Sequence, residues 1–170
     1  MRTPPRTRTA LASAAALLLA LTLTGCGDDE VELPMLRTSE GVADYLNKQV
    51  GCTDPDYVES DELPLIKSEV SNAVDGGGEC DIDEDSDIFF VHVTDMTKFQ
   101  QDVAANEENE DDVLMIGMDF ALDVDRGSAV QTLLDQGLLF LDCNPGMQTP
   151  QQYQRIEAED DCVLTDYERE

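Results

Sequence analysis

Apolar residues recur along this chain at two spacings, and the changes from one spacing to the other mark its elements. From Leu11 to Leu23 the run carries no charged residue. Its thirteen positions would reach only about 20 Å as a helix, short of the roughly 30 Å hydrocarbon core of a bilayer. It is too short for a stable span. Helical spacing appears at Val42, Tyr45, Leu46 and Val50, with Thr38 or Ser39 as the cap and Gly51 as the stop. A second helical pattern, Leu63, Ile66, Val70 and Val74, follows Asp61, with Pro64 tolerated in its first turn. Asp75-Gly76-Gly77-Gly78 reads as a flexible connector before Cys80.

The segment from Ile88 to Val93, rich in β-branched and aromatic side chains, reads as a buried strand. Asp95 is placed to cap a helix carrying Met96, Phe99 and Val103, which gives way to a polar stretch from Asn106 to Asp112. From Leu114 the apolar residues Ile116, Met118, Phe120, Leu122 and Val124 follow at every second position. That alternation predicts one long strand with Asp119 and Asp123 on its other face and a bulge or bend at Gly117. Asp125 to Gln136 is helical through Val130, Leu133 and Leu134, and Leu138 to Leu141 reads as a short central strand leading into Cys143. Beyond it only Cys162 to Thr165 is strand-like. The expectation is an α+β fold, a small mixed sheet with short helices packed on one face. All five phenylalanines fall between residues 88 and 141, which places the core there.

Arg2, Arg6 and Arg8 precede the first apolar run and small residues close it, the layout of a secretory signal. At the junction, Leu23-Thr24-Gly25-Cys26 resembles the lipobox of bacterial lipoproteins. The resemblance implies a diacylglyceryl group on Cys26, cleavage before it, and lipid anchoring at the extracytoplasmic face of the cell membrane. Residues 1–25 are then a signal peptide, 26–37 a lipidated tether, and 38–170 a single acidic α+β domain. The alternating run from Val113 to Val124, the helix after it and Gly137-Leu138-Leu139-Phe140 are similar to a segment of small uncharacterised lipoproteins of actinobacterial type. That likeness implies location and fold, and it assigns no catalytic residue.

Removing the signal changes the charge balance, because it holds three of the ten basic residues and none of the 38 acids. The remaining 145 residues carry seven Lys or Arg against those 38 acids, a formal charge of −31. Such a surface repels nucleic acid and anionic headgroups and excludes a nucleic-acid partner. It favours a cationic protein or ligand, or divalent cations.

Cys52, Cys80, Cys143 and Cys162 are an even number in a chain read as exported, so two disulfides are expected. Three pairings are open. Cys52 with Cys80 and Cys143 with Cys162 is preferred, because each bridge then closes a modest loop in its own half, at roughly 3–4 kcal/mol apiece. A zinc site is disfavoured: no two of these cysteines are closely spaced, and His92 is the one histidine.

His92 shares a strand face with Ile88 and Phe90 and reads as structural rather than as a general base. No nucleophile elbow, paired-histidine motif or phosphate-cradling glycine loop is present in the sequence. Asp81, Asp83, Asp85 and Asp87 offer oxygen ligands at alternate positions, as calcium loops do. The pattern departs from the EF-hand at its sixth place, Ser86, and at its twelfth, His92. No cofactor and no catalytic residue is assigned. The chain reads as a membrane-anchored binding or interaction domain, with a divalent-cation-binding surface protein as the alternative and a small cell-envelope hydrolase last.

Overall fold

A computed structural model describes residues 32–83, 86–106, 114–124, 127–144 and 148–168. In chain order the elements are α1 (Ser39–Val50), β1 (Thr53–Tyr57), α2 (Leu63–Glu69), β2 (Val74–Asp83), β3 (Ser86–Val93) and α3 (Met96–Ala105). Then come β4 (Leu114–Ile116), β5 (Phe120–Val124), α4 (Ser128–Asp135), β6 (Leu139–Asp142), β7 (Arg155–Glu157) and β8 (Val163–Thr165). The fold is α+β: eight strands form one sheet in the order β1-β2-β3-β5-β4-β6-β8-β7, and every pairing is antiparallel. The sheet is therefore larger than the small mixed one expected, and it has no parallel pair among the described residues.

The central strand explains why the helices cannot lie on one side, as the spacing alone predicted. Every residue of β3 from Ile88 to Val93 except His92 is apolar, and successive side chains point to opposite faces. Ile88 and Phe90 meet Val42 and Leu46 of α1, Val130 and Leu133 of α4, and Met115, Leu122 and Phe140 of the sheet. Val91 and Val93 meet Phe99 and Val103 of α3, with Leu63, Ile66 and Val70 of α2 packed against the same cluster. Both faces carry an apolar core, and two helices cover each.

Local signals set the boundaries of α1 and α3. Thr38 Oγ1 accepts the Gly41 N–H at 3.1 Å, Asp95 Oδ1 accepts the Lys98 N–H at 3.1 Å, and Gly51 closes α1 at φ 79°. A left-handed cap of that kind suits glycine, which has no Cβ to clash. The second helix is shorter than its apolar spacing predicted: α2 ends at Glu69. Ser71 turns the chain there, its hydroxyl donating to Asp102 Oδ2 at 2.6 Å and accepting the Ala73 N–H at 3.0 Å. Val74 then opens β2, and Gly76, Gly77 and Gly78 pair with His92, Val91 and Phe90. The three glycines are strand, not connector.

The alternating run also divides. Gly117 donates its N–H to Phe120 O at 3.0 Å, folding the run into the β4–β5 hairpin. A Cβ on Gly117 would collide with the Phe120 ring, so this turn needs glycine. Leu114 and Ile116 face the α2/α3 side, whereas Phe120, Leu122 and Val124 face the α1/α4 side. A tight turn preserved the spacing and reversed the face.

Both bridges form as the loop argument preferred. Cys52–Cys80 joins the end of α1 to β2, and Cys143–Cys162 joins the ends of β6 and β8, with Cα separations of 5.6 and 4.0 Å. Residues 33–37, read as the end of a tether, belong to the domain: Leu33 and Leu36 pack against the two cores. No helix among the described residues is long and apolar enough to cross a membrane.

Candidate functional site

The chemistry gathers at the end of the sheet where β2 begins and β3 finishes. Between Val74 and Gly76 the β2–β3 register slips by one, leaving Asp75 as the extra residue of a bulge. The bulge brings Asp75 to the histidine across the ladder, with His92 Nδ1 and Asp75 Oδ1 2.5 Å apart. The other ring nitrogen, Nε2, lies 4.0 Å from Asp119 Oδ2. His92 is thus held between two carboxylates, its side chain 12% exposed, against 50% for Asp75 and 16% for Asp119.

Asp119, in the β4–β5 turn, also fastens the residues that enter α1. Its two oxygens accept the Leu36 N–H at 2.8 Å and the Arg37 N–H at 2.7 Å, while Met118 N–H reaches Pro34 O at 2.8 Å. Arg37 has φ 69°, a left-handed conformation that costs a non-glycine residue roughly 1–2 kcal/mol and is kept where its neighbours fix it. Residues 32–37 form a strap across this end of the sheet, and Asp119 links the strap to His92.

Beside the Asp75–His92 pair lies a cleft of about 330 Å³, lined by Arg37, Ser39 and Glu40 at the start of α1, Tyr57 of β1, Asp75 and His92. Ser39 comes so close to β2 that a Cβ on Gly76 would stand 2.5 Å from its hydroxyl oxygen. Tyr57 is set edge-on to Phe90, their rings 85° apart in plane and 6.3 Å between centroids. Desolvation raises the Tyr57 hydroxyl above its ordinary pKa, and the negative charges of Glu40 and Asp44 push it further up. Ser39 and His92 share the cleft without a hydrogen bond between them among the described residues, so no nucleophile–base pair is assembled.

Asp75, Asp119 and the strap were not singled out by the sequence, which left His92 alone. A usable signal was the aspartate at the start of a glycine run, once that run is taken as a strand facing His92. The acidic segment resolves differently. Asp81 and Asp87 face each other across β2 and β3, while Asp85 and the side chain of Asp83 lie outside the described residues. Glu79 is hydrogen-bonded to Asp87, and that bond, with the repulsion of Asp87, some desolvation, and Asp81 and Asp56, holds the Glu79 carboxyl above the usual range. Among the described residues no group of three or more His, Cys, Asp or Glu side chains is placed to hold a metal ion. Cys26 lies outside the described residues.

Compared with known families, curated proteins and solved structures, the chain matches none.

Proposed function

We propose that this chain is a lipid-anchored lipoprotein of the extracytoplasmic membrane face whose domain acts by binding a cationic partner. The observation that carries the reading is the imbalance of charge on a domain closed by two disulfides. Seven basic residues after position 25 cannot neutralise 38 acids, and the described Lys or Arg ion pairs, Lys98–Asp102 and Arg155–Glu157, involve two of them. An unneutralised surface of this size concentrates cations around the domain and speeds the approach of a positively charged partner. Two disulfides in one domain fit an oxidising compartment, and the Leu23–Cys26 motif supplies the route to it.

Anchoring is tested with Cys26→Ala in cells fed an alkyne-tagged fatty acid. The wild-type chain should take up the label and sediment with membranes. The variant should lose the label and either leave the membrane or keep its signal. A variant that stays in the detergent phase at the mature mass would overturn the anchor.

A further inference from the structure

We propose that the cleft beside His92 binds a free basic α-amino acid, a ligand with two cationic groups and one carboxylate. The proposal rests on the cationic-partner reading above and narrows it to one ligand class. Its basis is the inventory of groups that meet in the cleft. Glu40 and Asp75, which carry carboxylates, and Arg37, which carries a guanidinium, are among the residues that line it, together with Ser39 and with His92, which is already paired with Asp75. Two negative groups and one positive group are the complement of lysine or arginine as free amino acids.

Each group has a separate task. Asp75 gives one oxygen to His92 Nδ1, which orients the carboxylate, and its side chain is half exposed, leaving the second oxygen for an ammonium. Glu40 lines the cleft together with Tyr57 and supplies the second negative group, while Asp44, whose charge also acts on the Tyr57 hydroxyl, is not among the lining residues. Tyr57 packs at right angles to Phe90 and is 39% exposed as a residue, so its exposed part offers an apolar surface for the methylene stem of the ligand. Arg37 and the Ser39 hydroxyl are the donors for the ligand carboxylate, Arg37 in a planar two-point contact. The volume, about 330 Å³, lies near the bottom of the roughly 300–1,000 Å³ found for small-molecule sites and suits a ligand of amino-acid size. Arg37 argues against a bare metal ion, because its positive charge would oppose one. The acidic field of the chain argues against a simple carboxylate.

Calorimetry on the full-length protein in detergent tests this with L-lysine, 1,5-diaminopentane, which lacks the carboxylate, and norleucine, which lacks the side-chain cation. L-lysine should bind, and each analogue should bind at least tenfold more weakly. Asp75→Asn and Arg37→Gln, each checked for an unchanged melting curve, should also weaken L-lysine at least tenfold, whereas Asp87→Asn should leave it unchanged. No heat with L-lysine at millimolar concentration, or equal affinity for L-lysine and the diamine, overturns the proposal. So does an equal loss in Asp87→Asn, which would assign the binding to the general acidic field. None of these results bears on the fatty-acid labelling at Cys26 or on capture of a basic polypeptide elsewhere, so failure here is distinct from failure of the broader reading.

Discussion

Asp119 is the residue on which most depends at this end of the sheet. Its carboxylate accepts two backbone N–H groups of the strap and stands beside His92, while its own chain makes the turn between β4 and β5. Hydrogen bonds to a charged acceptor contribute roughly 1.5–3 kcal/mol each, and the bond to Arg37 is exposed and weaker than the part-buried one to Leu36. Asp119→Ala should therefore cost about 2–3 kcal/mol. The loss should be local in character: amide hydrogen exchange at Leu36 and Arg37 should rise well before exchange at Val91 or Leu122 in the core. Uniform loss of protection across the sheet would show instead that the strap has no independent stability.

At the scale of elements, the two glycines that border the cleft make different demands. A Cβ on Gly77 would lie 2.5 Å from the Phe90 carbonyl oxygen, a backbone atom within the sheet, whereas the one on Gly76 would meet only the Ser39 hydroxyl at 2.5 Å. Gly77→Ala should cost about 2 kcal/mol or more by forcing the strands apart, and Gly76→Ala less, since one side chain has to turn. Thermal melts of Gly76→Ala with and without Ser39→Ala supply the check: the second change should restore stability to Gly76→Ala and do nothing for Gly77→Ala. The same elements show what a sequence reader can see. Thr38, Gly51 and Asp95 act within their own turns, so α1 and α3 were legible. β2 was hidden by three glycines, and β1 by five exposed side chains that leave no apolar pattern to read. The β4–β5 hairpin was hidden because Gly117, Met118 and Asp119 fit inside an unbroken alternation. In the site, His92 stood out as the sole histidine, but one of its partners lies 17 residues upstream across a bulge and the other in a separate hairpin. Spacing along the chain carries no record of such meetings.

For the molecule as a whole, net charge should dominate the response to solvent. With a formal charge of −28 on the full chain, raising sodium chloride from low to physiological strength should raise the melting temperature without any ion specificity, by screening repulsion over about 8–10 Å. Two carboxylates modulate this with opposite signs. Glu79 is raised in the folded state, so its contribution is full below its unfolded pKa and is lost as pH rises through the folded value. Asp102 loses some solvation, which raises it, but the Lys98 ammonium and the Ser71 hydroxyl outweigh that and hold it low. Its contribution is present above the unfolded pKa and disappears as pH falls through the folded value. Glu79→Gln should accordingly flatten the decline between mildly acidic and neutral pH, and Asp102→Asn should lower neutral stability while changing little in strong acid. A melting temperature indifferent to salt and highest above pH 8 would mean that the acids are balanced by local contacts. The covalent layout also bears on how proteases could divide the chain. Cys52–Cys80 and Cys143–Cys162 close loops at the two wings of the sheet, so a single backbone cut inside either loop leaves one covalently continuous molecule. Only a cut before Cys52, between Cys80 and Cys143, or after Cys162 divides the chain, and a domain tethered at Cys26 would come away with its strap and α1 whole only through a cut ahead of residue 32.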